Sequence, residues 1–122
     1  MPWLLIALGG ASGTVSRYAI DKIIEVFIKE STLGTFTVNI TGSFLLGLFI
    51  ALANTRYDWP IELRLFVAIG FLGSYTTFST LTVASIQLAI DGHWGRFIMN
   101  VLGSMIVGLL SAALGIFIGK AL

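Results

Sequence analysis

Four long apolar stretches, parted by short polar clusters, set the pattern of this chain. Lys22, Glu25, Lys29 and Glu30 form the first cluster; Arg56, Asp58, Glu62 and Arg64 the second; Asp91, His93 and Arg96 the third. Lys120 stands near the end. About 20 apolar residues in a helix cross the hydrocarbon core of a bilayer, and each stretch meets that length. The pattern predicts helices over residues 2–28, 33–54, 61–90 and 94–119. The first turns amphipathic in its second half, with Ile20, Ile23, Ile24, Phe27 and Ile28 on one side and Asp21, Lys22 and Glu25 on the other. That half is expected near the interface, with Arg17 and Asp21 four residues apart and able to pair. Trp59-Pro60 marks the turn after the second helix, and Trp suits the headgroup level.

The third stretch breaks the apolar rule at its centre. Leu65 to Ile90 carries no charge, yet its middle reads Gly73-Ser-Tyr-Thr-Thr-Phe-Ser-Thr80. Hydroxyls compete for backbone hydrogen bonds and Gly weakens a helix. In lipid, loosened backbone is tolerated only where it is buried in protein or lines a polar cavity. The expectation is a helix interrupted around Gly73 to Thr77, with carbonyls and N–H groups freed at mid-membrane. A plainer alternative is a kink in which Ser and Thr hydroxyls bond back to the preceding turn. Gly73, Ser74, Thr76, Thr77, Ser79 and Thr80 are many for that alone.

Composition agrees. Of 122 residues, 57% are hydrophobic and 11% charged, against about 25% charged in a soluble domain. The reading is a single four-helix transmembrane domain over residues 1–122. The apolar start, Met1 to Ser16, lacks a basic region and runs on past Arg17, unlike a cleaved signal. Cysteine is absent, which excludes disulfides and thiolate metal sites. Net charge is +1 with no basic run, so nucleic acid is not an expected partner. Leu33–Thr55, Leu65–Ile90 and Phe97–Gly119 contain no Asp, Glu, Lys, Arg or His. A proton-coupled pump usually keeps such a group in the span, so passive conduction through neutral polar groups is expected instead. Paired buried carboxylates, HExxH and a phosphate-binding loop are missing, and no enzyme is expected.

Four spans place both termini on one side. That side holds Arg56, Arg64 and Lys120; the other holds Lys22, Lys29, Arg96 and, if it reaches the interface, Arg17. The positive-inside bias is balanced, which implies copies inserted both ways and an antiparallel dimer, the arrangement that inverted repeats reproduce in larger transporters. Gly9xxxGly13, Ser12xxxSer16, Ser43xxxGly47, Ser104xxxGly108 and Gly115xxxGly119 fit close helix packing. Such packing leaves little room for a pore within one subunit, so a conduit is expected between subunits.

Two side chains add anion chemistry. Asn39 lies inside the second helix, where an unpaired carboxamide is costly. Its NH2 can donate to an anion and its oxygen can hold backbone, or it can simply bond a neighbouring helix. Phe78 sits within Thr76-Thr-Phe-Ser-Thr80, where its positive ring edge could face an anion.

Gly10-Ala-Ser-Gly13 with Arg17-Tyr18, Gly34-Thr35 leading to Val38-Asn39 and Gly42-Ser43, Gly70-Phe-Leu-Gly73, and Thr76-Thr-Phe-Ser-Thr80 together resemble the Fluc/CrcB fluoride channels over essentially the whole chain. The resemblance implies a dual-topology antiparallel dimer in the plasma (inner) membrane that exports fluoride passively. It implies two pores, each lined by both subunits, and a structural sodium ion (Na+) at the centre. Asn39 matches the family's pore asparagine and Phe78 the first ring of its phenylalanine pair. Thr35, Ser79, Thr80 and Ser104 fall among its pore-lining hydroxyls, Gly73 and Thr76 at its sodium carbonyls, and Arg17 at its vestibule arginine. Leu81 and Ala84 stand where the family carries a second phenylalanine and often an acidic residue. That departure implies either that one ring per subunit suffices or that an unlike subunit supplies the rest. The alternatives are a complementary or non-conducting partner in a heterodimer and a small multidrug exporter, a class similar in size and topology but needing a membrane-embedded carboxylate, which this chain lacks.

Overall fold

The computed structural model describes residues 1–55 and 58–122, the side chain of Ser31 excepted. Arg56, counted above in the charge balance, lies outside the described residues. Helix α1 (Pro2–Ile28) starts with Pro at its first position, where a missing N–H costs nothing. It ends at Lys29, which turns left-handed (φ 62°) and bonds Glu25 O. Helix α2 (Ser31–Thr55) follows at once, two residues earlier than the apolar pattern suggests. Pro60 then precedes a long composite element: α3 (Ile61–Arg64), a π-helical stretch π1 (Leu65–Leu72), and a single turn α4 (Gly73–Tyr75). Thr76 and Thr77 are extended, and α5 (Phe78–Ile90) resumes the path. A turn through Gly92 (φ 82°) leads into α6 (Trp94–Ala121), which runs two residues beyond the expected end.

The break is narrower than expected. Gly73 to Tyr75 stays helical and only Thr76 and Thr77 leave the helix. Two consecutive β-branched residues with hydroxyls are the place where an extended backbone is least resisted. The loosening extends upstream instead: the Gly73 N–H reaches both Ala68 O and Gly70 O at the end of π1. π-Turns of this kind are frequent at functional sites.

The helices pair through small residues. α1 runs parallel to π1, with Gly9 against the backbone of Phe66 and Gly13 against that of Phe71. α2 runs parallel to α6, where Gly115 meets Phe44 O and Gly119 meets Ala51. Ser111 Oγ donates to Ile40 O across that seam at 2.8 Å. Backbones approach this closely only where no side chain stands between them. Ser12, also in a small-residue pair, lies exposed instead.

The inner cluster is small: Val38, Leu72 and Tyr75, with Ile20, Leu46, Val67 and Phe71 around it. Phe71 and Tyr75 stack with centroids 5.8 Å apart. Most other large apolar side chains face outward, among them Phe27, Ile69, Phe78, Met105 and Leu109. An apolar surface of that extent needs lipid or another protein against it. Among the described residues, three helical segments are long and apolar enough to cross a membrane: Thr32–Thr55, Ile61–Ile90 and Trp94–Ala121, with mean hydropathy 1.9, 1.3 and 2.4.

Candidate functional site at the helix break

The site is assembled where α2 passes the gap between α4 and α5. Asn39 reaches that gap and holds Thr77 by both backbone groups. Its Oδ1 accepts from the Thr77 N–H at 2.8 Å, and its Nδ2 donates to Thr77 O at 3.0 Å. A carboxamide used this way replaces a neighbouring strand, which explains why Thr77 can remain extended. The nitrogen has two hydrogens; the second has no acceptor among the described residues. Of the two roles expected for Asn39, fixing backbone is observed for its oxygen and also for half of its donor capacity.

Two α-helical hydrogen bonds are diverted at the gap. The Thr77 N–H would close a turn onto the Gly73 carbonyl, but it goes to Asn39. The Thr80 N–H would close one onto Thr76, but it goes to Thr77 Oγ1 at 3.3 Å, making Thr77 the N-cap of α5. Thr77 Oγ1 lies 3.1 Å from Thr80 Oγ1 as well. The carbonyls of Gly73 and Thr76 thus lose their ordinary partners. Hard carbonyl oxygens of this kind suit an alkali cation. No cluster of His, Cys, Asp or Glu able to hold a metal exists among the described residues.

Arg17 supports the upper lip of the gap. Its Nε donates to Ser74 O at 3.2 Å, one of the carbonyls orphaned at the end of α4. A cation is also well placed at a helix C-terminus. The possible Arg17–Asp21 pair is not among the ion pairs of the described residues; Asp21 lies against Gly34, and its buried Oδ1 has no hydrogen-bond partner among them. Hydroxyl back-bonding also occurs, so the plainer expectation holds beside the break: Ser74 Oγ bonds Gly70 O and Gly10 O, and Thr76 Oγ1 bonds Leu72 O.

The remaining residues divide by exposure. Phe78 is 76% exposed in the single chain, and Gly73, Ser79 and Thr80 are exposed beside it. Thr35 and Ser104 are buried, and Ser104 Oγ has no partner. The break thus brings together Asn39, Gly73, Thr76, Phe78, Ser79, Thr80 and Arg17. The side chains of Thr35 and Ser104 form no hydrogen bond with that group.

The family described as CrcB-like protein, Camphor Resistance (CrcB), matches residues 4–116. The chain belongs to the CrcB family. Among similar proteins, "Fluoride-specific ion channel FluC" of Hydrogenobaculum sp. (strain Y04AAS1) is 37% identical over 122 residues, 100% of both chains. "Fluoride-specific ion channel FluC 2" of Moorella thermoacetica is 40% identical over 116 residues, 94% of this chain and 93% of the relative. A namesake of the first from Bacteroides fragilis is 38% identical over 121 residues, 96% and 94%.

Sequence reasoning missed several polar residues of this CrcB chain. Asn100 Nδ2 donates to buried Ser85 Oγ at 2.9 Å, linking α6 to α5. Tyr75 OH lies 2.9 Å from Thr41 Oγ1. Asn100 could have been found by the argument that singled out Asn39, a carboxamide in an apolar helix. Ser85 could not, since a lone serine in such a helix carries no signal.

Proposed function

We propose that this chain is a passive, fluoride-selective channel of the plasma membrane, working as an antiparallel dimer of oppositely inserted copies. The family and the names of its relatives support the ion. The observation that carries the reading is the Asn39 clamp on Thr77: it keeps the third crossing open, leaves one amide hydrogen without an acceptor among the described residues, and is followed along the chain by exposed Phe78, Ser79 and Thr80. Those groups donate or offer a positive edge, and none titrates. A small, strongly hydrated halide needs such donors to replace its water, while a larger halide fits a narrow path less well. The anion would pass Asn39, Phe78, Thr35, Ser79, Thr80 and Ser104, with Arg17 at the vestibule, through two pores at the dimer interface.

In this proposal α1 is the fourth span. Its 27 residues run parallel to the third crossing along a glycine seam, which gives it the same depth. Because the outer face of the break is exposed in one copy, a second copy can meet it there. Two sets of Gly73 and Thr76 carbonyls would then hold a sodium ion, whose role is to fix the break. Leu81 favours a second reading, in which an unlike subunit completes the pore. Its side chain is half-buried and its carbonyl accepts from Ser85 at 2.7 Å, so the residue is built into α5 and offers no ring. Fluoride efflux from liposomes holding this chain alone separates the two. Release of fluoride with chloride retained supports the channel; no release from folded dimers favours the partner subunit, and equal loss of chloride contradicts selectivity.

A further inference from the structure

A cleft of about 270 Å³ opens between the start of α2, the end of α5 and the start of α6, away from the central break. Glu30, Thr32, Phe36, Leu88, Arg96 and Asn100 contribute to its lining. On α6, Arg96, Asn100 and Ser104 follow one another at four-residue intervals and so lie along one face. Arg96 stands at the mouth, paired with Glu30 from the α1–α2 connection. Asn100 comes one turn deeper and is already linked to Ser85. Ser104 follows, buried, with its hydroxyl unpartnered. Guanidinium, carboxamide and hydroxyl are all donors, graded from fully charged at the surface to neutral inside. Such a series attracts an anion and then releases it inward, because no full positive charge waits at the bottom. The rim as a whole is balanced: Lys29 and Arg96 face Glu30 and Asp91, with His93 beside them.

Glu30 occupies a donor of Arg96, the charged group at the mouth. We infer that this cleft is a further entrance to the anion path, besides the Arg17 vestibule, and that Glu30 is a tethered competitor there: the anion must displace its carboxylate from Arg96 to reach Asn100. The inference rests on the channel reading above. The displacement is easy, because both side chains are partly exposed, 47% for Arg96 and 39% for Glu30, and exposed pairs are weak. Its consequence is kinetic. Removing the Glu30 charge leaves the rim net positive, which speeds capture of an anion at low ionic strength and loses its effect as salt screens the field.

The test is the initial rate of efflux at sub-saturating fluoride from liposomes holding the complete chain. Glu30→Gln is expected to raise that rate about two- to fivefold in low salt, with the gain gone near 1 M, where the screening length is about 3 Å. Arg96→Gln is expected to lower it by a similar factor. The swapped pair, Glu30→Arg with Arg96→Glu, keeps the bridge but places the negative charge beside Asn100. A purely structural bridge predicts recovery of the wild-type rate in the swap, whereas a competitor at an entrance predicts a rate below wild type. Wild-type rates in all variants, or a gain in Glu30→Gln that survives high salt, would overturn the inference while leaving the channel intact. Absence of fluoride release from the wild-type chain would instead remove the reading beneath it.

Discussion

Asn39 and Phe78 act at the same gap but through different parts of the structure, and their variants should separate. Asn39 is bonded to Thr77 by both ends of its amide. Asn39→Ala strips two hydrogen bonds from the part-buried backbone of Thr77, at a cost of about 0.5–1.5 kcal/mol each. It is expected to lower both the melting temperature and the fluoride efflux rate, the latter at least tenfold. Asn39→Asp keeps the acceptor for the Thr77 N–H but sets a carboxylate against Thr77 O, and should lose efflux as fully. Phe78 is mostly exposed in one chain and makes little contact with the core. Phe78→Ile should therefore leave the fold within about 0.5 kcal/mol and still reduce efflux about tenfold. Efflux and thermal melting measured on the same preparations check both expectations. At this scale the sequence was readable where a polar type sat in an apolar run, as at Asn39. It was silent on which atoms would bond, because Arg17 chose between Asp21 and Ser74 O on geometry that spacing does not contain.

Helix existence followed from apolar length, and the break from the crowding of hydroxyls. The π-winding of Leu65–Leu72 did not, because its residues, Leu-Phe-Val-Ala-Ile-Gly-Phe-Leu, are ordinary for an α-helix. The same stretch is the one that α1 meets backbone to backbone through Gly9 and Gly13, a tertiary contact that its residue types do not announce. The seam makes a sharp contrast among glycines. A Cβ at Gly13 would collide with Phe71 O and Ser74 Oγ, while one at Gly95 meets nothing within 4 Å. Gly13→Val should destabilise by about 1–3 kcal/mol through overpacking. Gly95→Ala should be neutral or stabilise by up to about 1 kcal/mol through helix propensity. Melting temperatures in detergent test the pair, and a tolerated valine at position 13 would contradict the close α1–π1 approach.

Across the whole molecule, the chain is a small inner cluster wrapped in outward apolar side chains. The balanced charges of its loops, readable from sequence alone, agree with the proposed two-way insertion. The chain has no native cysteine, so a single cysteine placed near either terminus should react with an impermeant thiol reagent from both sides of the membrane. Labelling from one side only would contradict dual topology. If Gly73 and Thr76 carbonyls hold sodium, the dimer should melt at a higher temperature in sodium than in potassium, and the difference should vanish when a bulky side chain replaces Gly73. The central claim is that a halide crosses the membrane interior on neutral donors, with no titrating group between the charged mouths of its path. A planar bilayer holding the purified chain under a tenfold fluoride gradient tests it most directly. The account predicts a reversal potential near 59 mV, unmoved by a chloride gradient or a pH gradient. A potential that follows the pH gradient, or one that collapses when chloride is added to one side, would contradict it.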